Sequence, residues 1–198
     1  MKTLAIDLST KSGWSSFVDG VYKESGALDK VYVEDFNVND EPGKSPLFPF
    51  NVINATQTVA RMVVNLVGQH QPDIVLIEQT TMGKNRFTQK LLEWLHYAVL
   101  EQLRGRAPIV YIDVSEWRKI VEMRLSTEQK KNNREVSSGR KRGKITKKHL
   151  AVNMVNEKYG LGLKLKDNDQ ADAILMNLAY HLKRFTPTPD PTTSENAA

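Results

Sequence analysis

The 198-residue chain reads as an α/β protein built on a mixed, layered sheet, and three observations lead there. An opening meander of short apolar runs contains Asp19-Gly20, the strongest two-residue hairpin signal. Ile74-Val75-Leu76-Ile77 is a continuous β-branched run of the kind found in a parallel strand covered on both faces. Around that run the apolar spacing turns helical. Strands that alternate with helices after a meander build a mixed sheet, and chemistry in such sheets gathers beyond the carboxyl ends of the parallel strands.

Taken in order, residues 3–8 predict a short, largely buried strand. Trp14–Val18 then meets Val21–Ser25 across the Asp19-Gly20 turn. Residues 35–50 hold Pro42, Gly43, Pro46 and Pro49 and predict a loop. Ile53, Thr56, Val59, Ala60, Val63, Leu66 and Val67 recur at helical spacing, and Pro72 blocks further helix before the strand at 74–77. A second helix is expected from Thr88 to Leu103. Pro108 leads into a strand over 109–114, and Ser115 is the expected cap of a short helix through Met123. Residues 126–145 lose periodicity and become polar, basic and Gly/Ser-containing, which predicts a mobile loop. Helices resume at 146–158 and 168–184. The length suits one domain, over residues 1–185, and the Pro/Thr/Ser stretch 186–198 is expected to be a disordered tail.

Apolar residues make up 40% of the chain and aromatics 8%, enough to bury a core. There is no cysteine, which excludes disulfides and thiolate metal sites and fits a reducing compartment. The opening residues lack the apolar core of a signal peptide and no stretch suits a bilayer, so a soluble, cytoplasmic protein is expected. Net charge is +5, but its distribution says more. Residues 118–148 carry 12 Lys and Arg against Glu122, Glu128 and Glu135, or +9; the other 16 basic and 20 acidic residues sum to −4. A solvated, charged loop would look the same on composition alone. Cations concentrated in one segment also suit a polyanion, because neutralising phosphates releases condensed counterions.

Four carboxylates stand in places that need a reason. Asp7 lies inside an apolar run, where a lone acid must be paired, protonated or bound to a metal. Glu78 ends the 74–77 strand, and the two acids share a sheet edge if their strands are parallel neighbours. Asp169 and Asp172, spaced i, i+3, share one helix face. Alone, that pair needs no purpose beyond favouring the helix dipole. Together, the four describe an all-oxygen site for a hard cation such as Mg²⁺ or Mn²⁺. Beside a strongly cationic segment, the chemistry that suits them is phosphodiester hydrolysis by two metals about 3.5–4 Å apart. His70, His96, His149 and His181 show no ligand spacing.

Ile6-Asp7-Leu8-Ser9-Thr10 with Ser12-Gly13-Trp14, Ile77-Glu78-Gln79 continuing through Met82-Gly83-Lys84-Asn85, and Asp169-Gln170-Ala171-Asp172-Ala173 together resemble the three acidic motifs of RuvC-type junction resolvases. The resemblance runs from residue 3 to about 184. It implies a ribonuclease-H-like mixed five-stranded sheet, the first three strands antiparallel and the rest parallel, flanked by helices. It also implies a homodimeric, Mg²⁺-dependent crossover junction endodeoxyribonuclease with two metals per site (Mn²⁺ substituting) that nicks four-way DNA junctions. On the matched positions Asp7, Glu78, Asp169 and Asp172 would hold the metals, and Lys148 resembles a family lysine near the scissile phosphate, with Lys119 a further match. Lys84, Arg86, Lys119, Arg140, Lys141, Arg142, Lys144, Lys147 and Lys148 are the expected DNA contacts.

The chain departs from the family pattern in three places. Leu8-Ser9 replaces Pro-Gly, and Thr80-Thr81 stands where bacterial members carry an aromatic that wedges into the junction, so either Phe87 substitutes or the junction is opened in another way. The stretch from Lys119 to Lys148 is longer and more basic than usual. These features resemble the divergent phage-encoded branch, whose members are less selective among branched DNAs. The competing readings are another nuclease on this fold, acting on flaps, forks or RNA–DNA hybrids, and a non-catalytic DNA-binding protein. The sugar-kinase and actin-like ATPase families open with a similar strand but need far more chain than this.

Overall fold

The computed structural model describes residues 1–36, 48–79, 86–137 and 143–185. Strands β1 (Lys2–Asp7), β2 (Gly13–Val18) and β3 (Val21–Ala27) form the meander. Asp19 and Gly20 both take positive φ, 51° and 80°, the conformation whose twist matches the flanking strands of a two-residue hairpin. Helix α1 (Phe50–His70), strand β4 (Ile74–Glu78), helix α2 (Arg86–Leu103) and strand β5 (Ile109–Ile112) follow. The chain then runs through α3 (Val114–Ile120), α4 (Thr127–Ser137), α5 (Lys147–Tyr159) and α6 (Asn168–Phe185). The sheet order is β3-β2-β1-β4-β5, antiparallel from β3 to β1 and parallel from β1 to β5. This is the mixed five-stranded sheet that the sequence predicts.

Alternation along the central strands explains the layers. Leu4, Ile6, Val75 and Ile77 point to the face covered by α1 and α2, while Ala5, Leu76 and Phe17 point to the face covered by α3, α5 and α6. Both faces are buried, which is why the Ile74–Ile77 run shows no polar alternation. Helix α6 is also held by a buried polar chain. Thr3 Oγ1 donates to Asn177 Oδ1 at 2.6 Å, Asn177 Nδ2 donates to the Ser15 carbonyl at 3.1 Å, and Ser15 Oγ donates to the Ala173 carbonyl at 2.9 Å. Deleting one member would strand a buried partner, the costly way to lose a hydrogen bond.

Two expectations are corrected. Residues 126–145 are not one long loop, because α4 occupies 127–137. No residue of α4 is buried, so it has no apolar stripe for a periodicity argument to detect. Its sequence signal is a capping box. Ser126 Oγ accepts from the Gln129 amide at 3.1 Å, and Gln129 Oε1 accepts from the Ser126 amide at 2.9 Å. The second correction concerns the cap of α3, which is Asp113 rather than Ser115. The Asp113 carboxylate accepts from the amides of Ser115 at 2.8 Å and Glu116 at 3.0 Å, so β5 stops at Ile112. Among the described residues no helix is long and apolar enough to cross a membrane.

Candidate active site

Asp7 and Glu78 are the last residues of β1 and β4. The strands are parallel with Ile6 opposite Ile77, so both acids emerge side by side at one sheet edge. Without the Pro-Gly of the resembled motif, the turn after β1 closes through serines. Ser12 Oγ donates to the Ser9 carbonyl at 2.8 Å and accepts from the Ser9 amide at 3.1 Å, while Leu8 fills the core.

The first turn of α6 meets this edge at close quarters. A Cβ on Gly13 would lie 2.1 Å from the carbonyl carbon of Asp169 and 2.3 Å from the Gln170 nitrogen. Gly13 pairs with Asp7 across β1 and β2. Only a residue without a side chain lets the α6 backbone approach this far, and that approach carries Asp169 and Asp172 toward Asp7.

Burial and mutual repulsion dominate the electrostatics. The Asp7 carboxyl is pushed well above the usual carboxylate range, first by burial and then by Glu78, Asp172 and Asp169, with Lys148 opposing. Asp172 is pushed up to about 7 by burial, against the pull of Arg118 and Lys148 and with further push from Glu78 and Asp169. Glu78 is raised by burial, offset by a hydrogen bond from Trp117 and by the charge of Arg118. The structure thus brings Asp7, Glu78, Asp169, Asp172 and Lys148 into one electrostatic neighbourhood.

Helix α3 contributes two residues that the sequence reading did not single out. The Trp117 indole Nε1 donates to Glu78 Oε2 at 2.8 Å, and its ring is fully buried. Arg118 Nη2 lies 3.7 Å from Asp172 Oδ2, and its guanidinium sits 4.9 Å from the Trp117 ring centre. A Trp-Arg pair one turn beyond a parallel strand was the available signal. Counting Arg118 into the cationic segment hid its inward direction. Its neighbour Lys119 is exposed, as are Arg86, Lys144, Lys147 and Lys148. Lys84, Arg140, Lys141, Arg142, Thr80, Thr81 and the 186–198 stretch lie outside the described residues. Among the described histidines, His149 sits 2.8 Å from Thr146 Oγ1 at the start of α5, and His96 lies 3.0 Å from the Tyr111 hydroxyl.

Among the described residues no three acidic or histidine side chains converge as a finished metal cage. The donor chemistry nevertheless fits a hard divalent cation. Four carboxylates from three elements repel one another, and the buried Asp172 Oδ1 has no hydrogen-bond partner among the described residues. A cation at this edge would satisfy that oxygen and relieve the repulsion.

No protein-family model matches the chain, and no curated protein matches it in sequence. Backbone comparison is more telling. RuvC from T. thermophilus in complex with a Holliday junction substrate aligns with a TM-score of 0.60 at 14% identity, covering 93% of this chain and 95% of that one. The fold is that of RuvC, a ribonuclease-H-like fold. A second Thermus thermophilus RuvC structure gives 0.56 at 14% identity over 93% and 95% of the two chains. The fowlpox virus resolvase, in complex with substrate Holliday junction DNA, gives 0.51 at 10% identity over 94% and 100%. On this RuvC-like frame Asp7 and Glu78 occupy the carboxyl edge of β1 and β4, Asp169 the first turn of α6 and Asp172 the turn that follows.

Proposed function

We propose that this chain is a Mg²⁺-dependent, structure-selective endonuclease that cuts branched DNA, four-way junctions above all. The observation that carries the reading is the meeting of Asp7, Glu78, Asp169 and Asp172 at one sheet edge. The solved structures that share this fold and hold Holliday junction DNA support the choice of substrate. Two Mg²⁺ ions held by the four acids, or Mn²⁺ in their place, would supply the charge that activates water and stabilises the departing 3′-oxygen.

The chain's own groups have distinct tasks in this reading. Trp117 fixes the rotamer of Glu78 through its indole N–H. Lys148 adds positive charge beside Asp7 and Asp172, where negative charge grows on the phosphate in the transition state. Arg86, Lys119, Lys144 and Lys147, with Lys84, Arg140, Lys141 and Arg142, bind backbone phosphates and set register without reading sequence. Phe87, 52% exposed in the first turn of α2, is the candidate wedge at the branch point. A homodimer suits two nicks across a four-way junction. Tyr97 and Leu100, exposed on α2, are apolar surface of the kind a second copy covers.

The test is a cleavage panel of four-way, three-way, flap and RNA–DNA hybrid substrates in Mg²⁺, run on wild type and Asp7→Asn. Asp7→Asn is expected to bind four-way junctions normally and to lose cutting by at least about 10²-fold. Normal nicking by that variant would refute the metal-site assignment. Cutting confined to the hybrid would replace the branched-DNA reading with a hybrid-specific one.

A further inference from the structure

Four acids drawn to one edge raise the question of what holds them there when no divalent ion is bound. Besides the exposed Lys148, Arg118 is a cation of the cluster, and it is half-buried within it. Its Nη2 faces Asp172 Oδ2 at 3.7 Å, close enough for charge attraction but too long for a hydrogen bond. Its Nε is buried, and neither it nor the buried Asp172 Oδ1 has a hydrogen-bond partner among the described residues. The guanidinium is steadied by the Trp117 ring, and Trp117 is itself tied to Glu78. The pair is therefore attractive, but its hydrogen bonding is unfinished on both sides. That is the geometry of an ion pair that can be exchanged for other partners.

We propose that Arg118 is a resident counter-ion of the acidic edge, holding Asp172 in the metal-free protein and competing with the divalent cations that take its place. The proposal rests on the reading of the four acids as a metal site. Its physical content is a linkage between one fixed positive charge and two exchangeable ones. A charge that offsets carboxylate repulsion stabilises the metal-free fold, and the same charge repels an incoming cation. Removing it should move those two properties in opposite directions. A purely structural side chain would not produce that pattern, because its loss weakens the metal-free and metal-bound forms alike.

The experiment uses DNA-free full chain, with Mn²⁺ as the probe. Free Mn²⁺ is followed by electron paramagnetic resonance, and Tm is measured in chelator and in saturating Mn²⁺. Arg118→Met, which keeps the stem and removes the charge, is expected to bind Mn²⁺ on the order of tenfold more tightly than wild type. Its Tm is expected to fall by about 2–8 °C in chelator and to come closer to wild type in Mn²⁺. Arg118→Lys, which keeps the charge, should return both values toward wild type. Arg118→Gln repeats the test if the methionine variant does not fold. Unchanged or weaker Mn²⁺ binding in the neutral variants, or an equal loss of Tm with and without Mn²⁺, overturns the proposal. Failure of wild type itself to take up Mn²⁺ would overturn the metal site, a separate result that the same titration reads first.

Discussion

Helices α3 and α4 are neighbours in sequence and both carry cations, yet α3 turns one of its two, Arg118, inward while Lys119 and the cations of α4 face outward. In α3 the ring of Trp117 is fully buried and the Arg118 guanidinium turns inward onto Asp172. In α4 no residue is buried, and Lys130, Lys131 and Arg134 all face solvent. One helix is held by the core and shapes the acidic edge. The other is held by a capping box and by Asn133, which accepts from the Ile145 amide at 2.8 Å and donates to the Ile145 carbonyl at 2.7 Å. Summing charge over residues 118–148 treats these as one surface. Burial separates a cation that organises a site from cations that can meet a polyanion.

The contrast breaks most visibly at Trp117. Trp117→Ala should cost about 3–5 kcal/mol of stability, the cost of an aromatic-sized cavity, read from chemical denaturation. Trp117→Phe retains most of the packing and removes only the donor to Glu78, so it should lower cutting far more than it lowers stability. Equal losses in both would reduce Trp117 to a packing residue.

A smaller effect is expected from the acid that Arg118 faces. Burial pushes the Asp172 carboxyl up to about 7 in the folded, metal-free chain despite the charge of Arg118, so the ion pair between them is complete only above that pH, whereas an unfolded aspartate ionises near the ordinary carboxylate value. Between about pH 4 and pH 7 the folded state therefore binds more protons, and stability from this group falls as pH rises through that window. His96, whose buried ring is pushed toward lower pKa, acts in the opposite direction over part of the same range. The informative quantity is thus the difference between wild type and Asp172→Asn in chelator. Wild type should lose stability relative to the variant on going from pH 5 to pH 7.5, and parallel profiles would contradict the burial of a protonated Asp172.

The smallest effect on the fold is expected in α4. Neutralising Lys130, Lys131 and Arg134 to Gln should leave stability within about 0.5 kcal/mol, as for surface changes generally. Affinity for junction DNA should fall, and the slope of log K against log salt should flatten by up to about 0.9 for each phosphate no longer neutralised. An unchanged slope would mean that α4 does not lie on DNA.

Much of this arrangement was legible in the residues alone. β-Branched continuity marked β4, Asp19-Gly20 marked the hairpin, and an acid inside an apolar run (Asp7) with a second one ending a strand (Glu78) marked the edge where both stand. What escaped detection had physical reasons. Helix α4 escaped because periodicity reports burial, and α4 buries nothing. The roles of Trp117 and Arg118 escaped because a side chain's direction across space is not encoded in local spacing: Trp117 reaches 39 residues back to Glu78, and Arg118 reaches forward to Asp172. The weight carried by Gly13 was equally hidden, since a glycine at the start of a strand looks like turn chemistry until the opposing helix is in place.

Two of the acids lie on β1 and β4 and two on α6, the last described helix, and this sets a timetable. Asp7 and Glu78 leave the ribosome early, on strands that pair with each other. Asp169 and Asp172 arrive with α6, the last of the described elements, whose Ala171, Ile174 and Leu175 also close the second face of the sheet. A nascent chain halted after α5 has two of the four site acids, Asp7 and Glu78, and a second sheet face that lacks the cover of α6. On the function proposed here, a chain that ends before α6 lacks Asp169 and Asp172 and is expected not to cut DNA.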